Sequence, residues 1–253
     1  MPRKNGFGSL LCVLTLAFAP LLAVAQPSPY DARYSVYRNG KLVGMLRIAL
    51  TIEDGIWQLE SHGRGTHGLA RILAATDHEL ASGQLVDGRF IPLTHERTTR
   101  ISGIEDGWRA DFDWDSRVVT VSGQGETPRT LDLDGNEQDP LAMKLEMRER
   151  LLGGGPLDFV MLDEDRFEAQ RFRRLPEERM ETALGCLETW PVEEVRKNNR
   201  RYTRAWHAPR LGLVEVRVEH GKTGGDHVEM RINALSIDGT PVEPFPGCGN
   251  REP

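Results

Sequence analysis

The chain has 253 residues and a formal net charge of −6 at pH 7, with 28% charged and 7% aromatic side chains. This length accommodates one large domain or two small ones. A mildly acidic protein gives no electrostatic reason to bind the phosphate backbone of nucleic acid, so we expect no nucleic-acid partner.

The N-terminus has the three parts of a secretory signal peptide. Arg3 and Lys4 precede an apolar stretch from Leu10 to Leu22, and Ala23-Val24-Ala25 follows. We predict cleavage after Ala25, which makes residues 1–25 a signal peptide and places the mature protein in the periplasm. Every later apolar run is interrupted by charge, so we predict no transmembrane segment in the mature form.

Two cysteines, Cys186 and Cys248, remain after the predicted cleavage. Disulfides persist in exported proteins, and a bond here would tie the Pro/Gly-rich tail, residues 244–253, to the preceding domain. Spacing alone does not fix geometry, so two separate thiols are the alternative. The pair is a disulfide candidate.

Residues 30–121 alternate between apolar and polar side chains, as half-buried antiparallel strands do. Asn39-Gly40 and Asp87-Gly88 predict tight hairpin turns. The stretch from Gly68 to Ala75 lacks strict alternation and predicts a short helical turn. Pro92 predicts a sheet edge or a bulge, because proline donates no ladder hydrogen bond.

One helix is expected between two blocks of strands. Asp139 is a good N-cap, Pro140 suits the first turn, and Gly153-Gly154-Gly155 ends the apolar pattern, which predicts a helix from about Pro140 to Leu152. Alternation returns from Leu157 and continues to Ile232. We predict an all-β, mainly antiparallel fold: one domain over residues 26–243, whose large curled sheet forms an open or closed β-barrel with the helix as plug or cap.

Three segments carry a family resemblance: residues 34–40, residues 138–148 and residues 206–216. Their aromatic and turn residues resemble an exported proteobacterial family catalogued as domain of unknown function 3108. The resemblance implies a periplasmic β-rich fold similar to half-barrels that carry lipids or lipoproteins across the envelope. It implies no established activity and no catalytic residues.

Aromatic side chains form the candidate ligand-binding face. Trp108, Phe112 and Trp114 alternate on one face of a strand, and Trp57 and Tyr34 are expected to join them. Inside a barrel with a cavity, such rings bind an acyl chain or stack on a sugar. The alternative is that they fill the core.

The sequence contains no pattern that commits it to metal binding. His62, His67 and His78 lie near Asp77 and Glu79, but their spacing matches no standard zinc motif. We predict no metal and no cofactor.

Catalytic motifs are likewise missing from the sequence. No Gly-x-Ser-x-Gly elbow occurs. Paired carboxylates, Asp111 with Asp113 and the run Asp163–Asp165, would act as acid and base on a glycan only with a raised pKa in a cleft. We therefore predict a non-enzymatic protein with no catalytic residues.

A basic segment runs against the acidic average. It either meets an anionic surface or forms the solvated turn of a hairpin, balanced by the preceding glutamates. The segment consists of Arg196, Lys197, Arg200, Arg201 and Arg204, preceded by Glu193 and Glu194.

Our leading hypothesis is a periplasmic binding or carrier domain for an amphiphilic, lipid-like ligand. The alternative is an envelope interaction or scaffold protein that holds a protein partner through a sheet edge or the basic segment. A glycan-directed hydrolase is the third. The sequence does not define the ligand, the partner or the oligomeric state.

Overall fold

A computed structural model describes residues 27–197 and 200–249. The predicted signal peptide, residues 1–25, lies outside the described residues. Within the described part of the chain the strands form a single 17-stranded sheet that is mainly antiparallel. The predicted fold class is confirmed.

The first block of the sheet is a meander of eight strands in which each strand pairs with the next. Its elements are β1 (Tyr30–Arg38), β2 (Lys41–Glu53), β3 (Ile56–Gly65), α1 (Gly68–Ile72), β4 (Thr76–Val86), β5 (Arg89–Ile101), β6 (Ile104–Asp113), β7 (Val118–Gly123) and β8 (Arg129–Asp132).

The second block contains the long helix and the remaining strands. Its last long strand pairs with β1, which joins the two blocks. Its elements are β9 (Glu137–Gln138), α2 (Pro140–Gly153), β10 (Asp158–Asp163), β11 (Arg166–Arg174), β12 (Glu178–Thr182), β13 (Gly185–Glu194), β14 (Arg201–Ala208), a 3-10 turn (Pro209–Leu211), β15 (Val214–Lys222), β16 (His227–Ile237) and β17 (Thr240–Pro241).

The sheet curls into an open barrel whose two ends meet without a backbone ladder. β8 forms one end, β9 and β10 form the other, and residues 133–136 connect them. Side chains cross the seam: Leu162 packs with Phe112 in one buried cluster, and Arg129 pairs with Asp165 at 2.7 Å. Side-chain packing thereby covers edges that would otherwise be exposed.

Helix α2 lies inside the curled sheet. The Asp139 carboxylate accepts hydrogen bonds from the amides of Leu141 and Ala142 at 2.8 and 3.0 Å, and Gly154 ends the helix with φ of 69°. The predicted helix is confirmed. Its buried side chains include Arg148 as well as leucines and methionines, so the helix is enclosed on more than its leucine side.

A bulge sets the packing near Trp57. Ser82 pairs with Thr94 but Gly83 pairs with Pro92, which leaves one extra residue on β5. A Cβ at Gly83 would lie 1.9 Å from the carbonyl oxygen of Ile91 and 2.7 Å from the Trp57 ring. The predicted bulge at Pro92 is confirmed, and it requires glycine on the facing strand.

The C-terminal tail pairs with the start of β13. The amide of Phe245 donates to the carbonyl of Leu184 at 2.8 Å, and that of Cys186 donates to Pro246 at 3.0 Å. Cys186 and Cys248 form a disulfide with their Cα atoms 4.7 Å apart. The bond holds the tail against the barrel.

We expect Gly83→Ala to lower the free energy of unfolding by about 3 kcal/mol, because the new methyl group overpacks against backbone and the indole ring. Gly63→Ala is the control, since its Cβ would meet nothing nearer than 3.5 Å. Urea unfolding measures both. Equal stability of the two variants would contradict the packing argument.

Replacing both cysteines by serine should lower the free energy of unfolding by about 4 kcal/mol in the chain-entropy model, since the bond closes a loop over a sequence separation of 62. The control is the oxidised wild type, measured by urea unfolding beside a dithiothreitol-treated sample. An unchanged unfolding midpoint in both the variant and the reduced sample would show that the tail contributes no stability through this bond.

Candidate functional site

The candidate site is a cleft where the barrel wall splits. β13 ends at Glu194, opposite Phe172 of β11. Beyond that level a single backbone hydrogen bond among the described residues, from the amide of Val195 to the carbonyl of Arg171 at 2.7 Å, joins the two sides. The rest of β11 pairs with β10, and the first residues of β14 pair with β15. The resulting cleft has a volume of about 1330 Å³.

The floor of the cleft is apolar. Phe159 of β10 is buried and meets Phe172 edge to face at 6.0 Å between ring centroids. The guanidinium of Arg150, from the last turn of α2, lies 4.3 Å from the Phe159 ring centroid. Val160 and Val195 extend this apolar lining. A hydrocarbon segment would find apolar contacts here.

Basic side chains dominate the lining. Three are neutralised by adjacent acids: Arg171 pairs with Asp158 at 2.5 Å, Arg196 with Glu194 at 2.5 Å, and Arg150 with Glu146 at 3.3 Å. The basic residues that line the cleft are Arg150, Arg171, Arg196, Lys197, Arg200, Arg201 and Lys222, and the acidic residues are Asp158, Glu168 and Glu194.

Arg201 and Lys222 stand directly opposite each other at the mouth of the cleft, one on β14 and one on β15. Within the described residues, neither makes an ion pair with an acid. Like charges in directly opposed positions destabilise a sheet. The arrangement therefore leaves two cations that a bound anion would stabilise.

An outer-face pair elsewhere on the sheet shows the contrast. Arg217 and Arg231 are also directly opposed, but the Glu229 carboxylate binds both guanidinium groups at 2.7 Å. In this pair, the negative charge of Glu229 offsets the repulsion between the two arginines. Arg201 and Lys222 share no such ion pair among the described residues. The hydrogen bond from Arg38 lowers the pKa of Asp226, and the nearby charge of Lys222 only adds to this effect.

The basic segment predicted from the sequence divides into two parts in the structure. Glu193 pairs with Arg204 at 2.7 Å and with Arg173 at 2.7 Å, and these two guanidinium groups lower the pKa of its carboxyl. This part is the balanced hairpin face expected from the sequence. Lys197 and Arg201 belong to the uncompensated cleft mouth.

Beneath the cleft, α2 is held by charged contacts inside the barrel. Arg148 donates from Nε and Nη2 to the carbonyl of Gly212 at 3.0 and 2.6 Å, and Lys144 pairs with Glu215 at 3.4 Å. Burial raises the pKa of the Glu215 carboxyl, but the charges of Lys144, His207 and Arg148 outweigh it and the net pKa is lowered. Glu215 in turn raises the pKa of the Lys144 ammonium.

His207 lies beside these contacts, and burial lowers its pKa. Its Nδ1 lies 3.1 Å from the carbonyl oxygen of Leu213. A cavity of about 10 Å³ separates His207, Arg148 and Tyr30, which is room for one water molecule. This enclosed cluster is too small to admit a substrate, so we assign it a structural role.

A second set of largely buried polar side chains, Glu79, His95 and the N-cap residue Asp139, lies at the start of α2. His95 is fully buried, its Nε2 lies 2.8 Å from the Glu79 carboxylate, and its ring stacks on Trp108 at 4.5 Å between centroids. Burial raises the pKa of the Asp139 carboxyl to about 6, against opposing effects of His95 and the two amides it caps. These groups anchor the start of the helix.

The predicted aromatic face points inward, but its members lie in different clusters. Trp57 is 0% exposed and donates from Nε1 to the carbonyl of Gln84 at 3.2 Å. Phe112 and Trp114 stack at 5.9 Å between centroids and pack with Trp108 in another cluster. Side chains surround these rings, so the structure favours core packing, and their role as a ligand wall stays a prediction.

The histidines flagged in the sequence do not converge. His62 and His78 face each other across β3 and β4 at 5.8 Å between ring centroids, whereas His67 contacts the hydroxyl of Thr66. Among the described residues, one group of three ligand-type side chains is close enough for a metal: Glu181, Cys186 and Cys248. Its two sulfur atoms are bonded to each other, so the thiolates that zinc prefers are not available.

The carboxylates considered for acid–base chemistry are paired on the surface. Asp111 binds Arg109 at 2.5 Å, and Asp163 binds Arg166 at 3.3 Å. The amide and hydroxyl of Ser116 lower the pKa of Asp113, which is the wrong direction for a general acid.

Sequence reasoning identified part of the cleft and missed the rest. The basic segment was visible as a local cluster. Arg150, Phe159 and Lys222 come from separate elements, and their convergence depends on β13 ending at Glu194, before the strands on either side of it reach the mouth of the cleft. The one signal in the sequence for this convergence was the polar stretch that begins the basic segment and separates β13 from β14.

The chain matches the family model described as "Protein of unknown function (DUF3108)" over residues 33–232. It therefore belongs to this family. No curated protein matches the sequence.

Among solved structures, it is similar to a β-barrel-like protein of domain of unknown function DUF1849 from Brucella abortus, with 12% identity, a TM-score of 0.57, and coverage of 84% of this chain and 99% of that one. This likeness shows the fold alone.

Two further structures align over most of their length with low TM-scores. One is a putative lipoprotein from Parabacteroides distasonis, with 10% identity, coverage of 83% of this chain and 96% of that one, and a TM-score of 0.32. The other is a putative exported protein with a YmcC-like fold from Bacteroides fragilis, with 9% identity, coverage of 83% and 97%, and a TM-score of 0.31. In the described residues, no helix is both long and apolar enough to span a membrane.

Asp139 predicts a specific pH dependence of stability. Its pKa is about 6 when folded, above its value of 3.8 in a model peptide. Between those values the folded state binds the proton more tightly, so this group's contribution to stability falls as pH rises from about 4 to 6. Asp139→Asn keeps the cap but cannot ionise.

We expect Asp139→Asn to gain about 3 kcal/mol of stability relative to wild type between pH 4 and pH 7. Urea unfolding at several pH values measures this. Asp113→Asn is the control, because the lowered pKa of Asp113 gives the opposite sign. A constant difference between Asp139→Asn and wild type across this range would rule out the assignment.

Proposed function

We propose that this protein binds an anionic amphiphile in the cleft between β11 and β14 and acts as a non-enzymatic carrier or binding protein. The single observation that carries the proposal is the uncompensated pair Arg201 and Lys222, directly opposed above an apolar floor. Such a site offers apolar contacts to a chain and positive charge to its headgroup.

The dimensions of the cleft support a ligand of lipid size. Its volume of about 1330 Å³ exceeds the range of roughly 300–1,000 Å³ typical of small-molecule sites. The cleft opens to solvent on one side, so a headgroup has access to water while a hydrocarbon segment contacts Phe159 and Val195. An acyl chain gains about 0.8 kcal/mol for each buried methylene group.

The electrostatics favour an anion over a zwitterion. Lys197, Arg201 and Lys222 are exposed and make no ion pair with an acid in the described parts of the chain. Hydrogen bonds from such groups to a phosphate or carboxylate are stronger than those between neutral partners. A lipid with an anionic headgroup should therefore bind more tightly than the same lipid with a zwitterionic headgroup.

The place of action follows from the sequence. The basic, apolar and small-residue order in residues 1–25 supports export, and we propose that the mature protein works in the periplasm. Binding without chemistry fits a cleft whose three carboxylates, Asp158, Glu168 and Glu194, are each paired with an arginine.

The test is binding of lysophosphatidylglycerol and lysophosphatidylcholine, each below its critical micelle concentration, by isothermal titration calorimetry. We expect the anionic lipid to bind more tightly, and Arg201→Glu with Lys222→Glu to weaken it at least about tenfold, the loss of one charge-assisted contact. Affinity should also fall as ionic strength rises.

The matched control is Arg89→Glu with Arg117→Glu, which reverses two exposed charges at the opposite end of the barrel and should leave affinity unchanged. Val195→Glu should weaken both lipids, because it places a carboxylate on the apolar floor. If neither lipid binds the wild type, or if the two charge-reversed proteins bind equally, the cleft is not the site.

A further inference from the structure

Four large aliphatic side chains are exposed at one end of the barrel. Two belong to α1, and two flank the β5–β6 turn. The amide of Ser102 in that turn donates to the carbonyl of Leu73 after α1 at 2.7 Å, so the segments form one surface. We name this surface the apolar tip: Leu69, Ile72, Ile101 and Ile104, which are 68%, 75%, 47% and 75% exposed.

Backbone contacts with β2 and β3 hold the apolar tip in position. The amide of Thr66 donates to the carbonyl of Val43 at 3.0 Å. A Cβ at Gly65 would lie 2.5 Å from the carbonyl oxygen of Ala70, so glycine permits the close approach of α1 to β3. The helix buries none of its own side chains and instead presents them outward.

Two arginines flank the apolar tip. Arg71 lies within α1 and Arg64 lies near the end of β3, and both are exposed. Neither forms an ion pair with an acid in the described residues. Exposed aliphatic groups beside free cations complement the hydrocarbon and the phosphates of an anionic bilayer.

The apolar tip and the mouth of the cleft lie at the same end of the barrel. β1 and β3 both run toward it, and the β1–β2 turn is tied to the β15–β16 turn by the ion pair of Arg38 with Asp226 at 2.6 Å. Lys222 precedes that second turn. Acidic turns, at Asp54 and Asp87, lie at the other end.

We infer that the apolar tip docks this protein on an anionic lipid bilayer, with its aliphatic side chains inserted and Arg64 and Arg71 among the phosphates. This rests on the proposed function, since it makes the bilayer the source of the amphiphile in the cleft. The opposite end of the barrel, called here the acidic end for its turn residues Asp54 and Asp87, faces away from the membrane.

Co-sedimentation with vesicles tests the inference. We expect the full mature chain to bind vesicles of phosphatidylglycerol and phosphatidylcholine in a 3:7 ratio more tightly than vesicles of phosphatidylcholine alone. Ile72→Ser with Ile104→Ser should lower the partition coefficient at least about tenfold, because several inserted carbon atoms are lost. Arg64→Glu with Arg71→Glu should remove the preference for the anionic vesicle.

The matched control is Ile56→Ser with Val86→Ser, which changes two aliphatic side chains that are 48% and 43% exposed at the acidic end. It should bind vesicles like wild type. The substituted residues are all exposed, so thermal unfolding should show that each variant keeps its fold.

Two outcomes separate this inference from the proposed function. If Ile72→Ser with Ile104→Ser loses vesicle binding but keeps its affinity for monomeric lysophosphatidylglycerol, docking and cleft binding are both supported as separate events. If wild type binds the monomeric lipid but no vesicle, or if both serine pairs bind vesicles alike, docking through the apolar tip is overturned while the cleft stands.

Discussion

The contacts between the charged side chains of α2 and the segment from Gly212 to Glu215 are the constraint on which the rest of the structure depends. A helix enclosed by a sheet has to satisfy any charge that it carries inward, because an unpaired buried charge costs several kcal/mol. Arg148, which is buried, meets this demand at the Gly212 carbonyl, and the half-buried Lys144 adds an ion pair with Glu215. These contacts fix the rotation of α2 about its own axis. Its leucines and methionines then pack against the apolar residues of the barrel wall.

The position of α2 determines the cleft. With the helix fixed at Arg148, Arg150, two residues further on, lies over Phe159 and donates to the carbonyl of Asp158 at 2.6 Å. That contact closes the inner side of the wall at the level where β13 ends. The space beyond the end of β13 therefore has Phe159 and Arg150 as its floor. A ligand of the cleft is held on the outside of a filled barrel.

The alternation of apolar residues and the hairpin turns were sufficient to predict the meander, the helix and the fold class, because these depend on local patterns. The short strands β8, β9, β12 and β17 were missed. Each is too short to show a clear alternation, and each is defined by its hydrogen bonds to a neighbouring strand. The aromatic face was placed correctly on the inner side of β6, but a single strand does not tell how full the barrel is. The buried role of His207 was also missed, because a histidine beside an alternating strand gives no signal of its burial.

The tight turns at the two ends of the barrel show whether backbone conformation alone determines which residue type occupies them. Asn39 and Ser102 have φ of 51° and 53°, and Asp54, Asp87 and Asp238 have φ of 50°, 51° and 49°. All five precede glycine in the same tight geometry, which asparagine, serine and aspartate each tolerate. Backbone conformation therefore does not require an acid at any of them. Among these five turns the three carboxylates lie at the end away from α1. The end that carries α1 has turn acids of its own, Glu164 between β10 and β11 and Asp226 between β15 and β16, so turn conformation and surface charge are set independently in this protein.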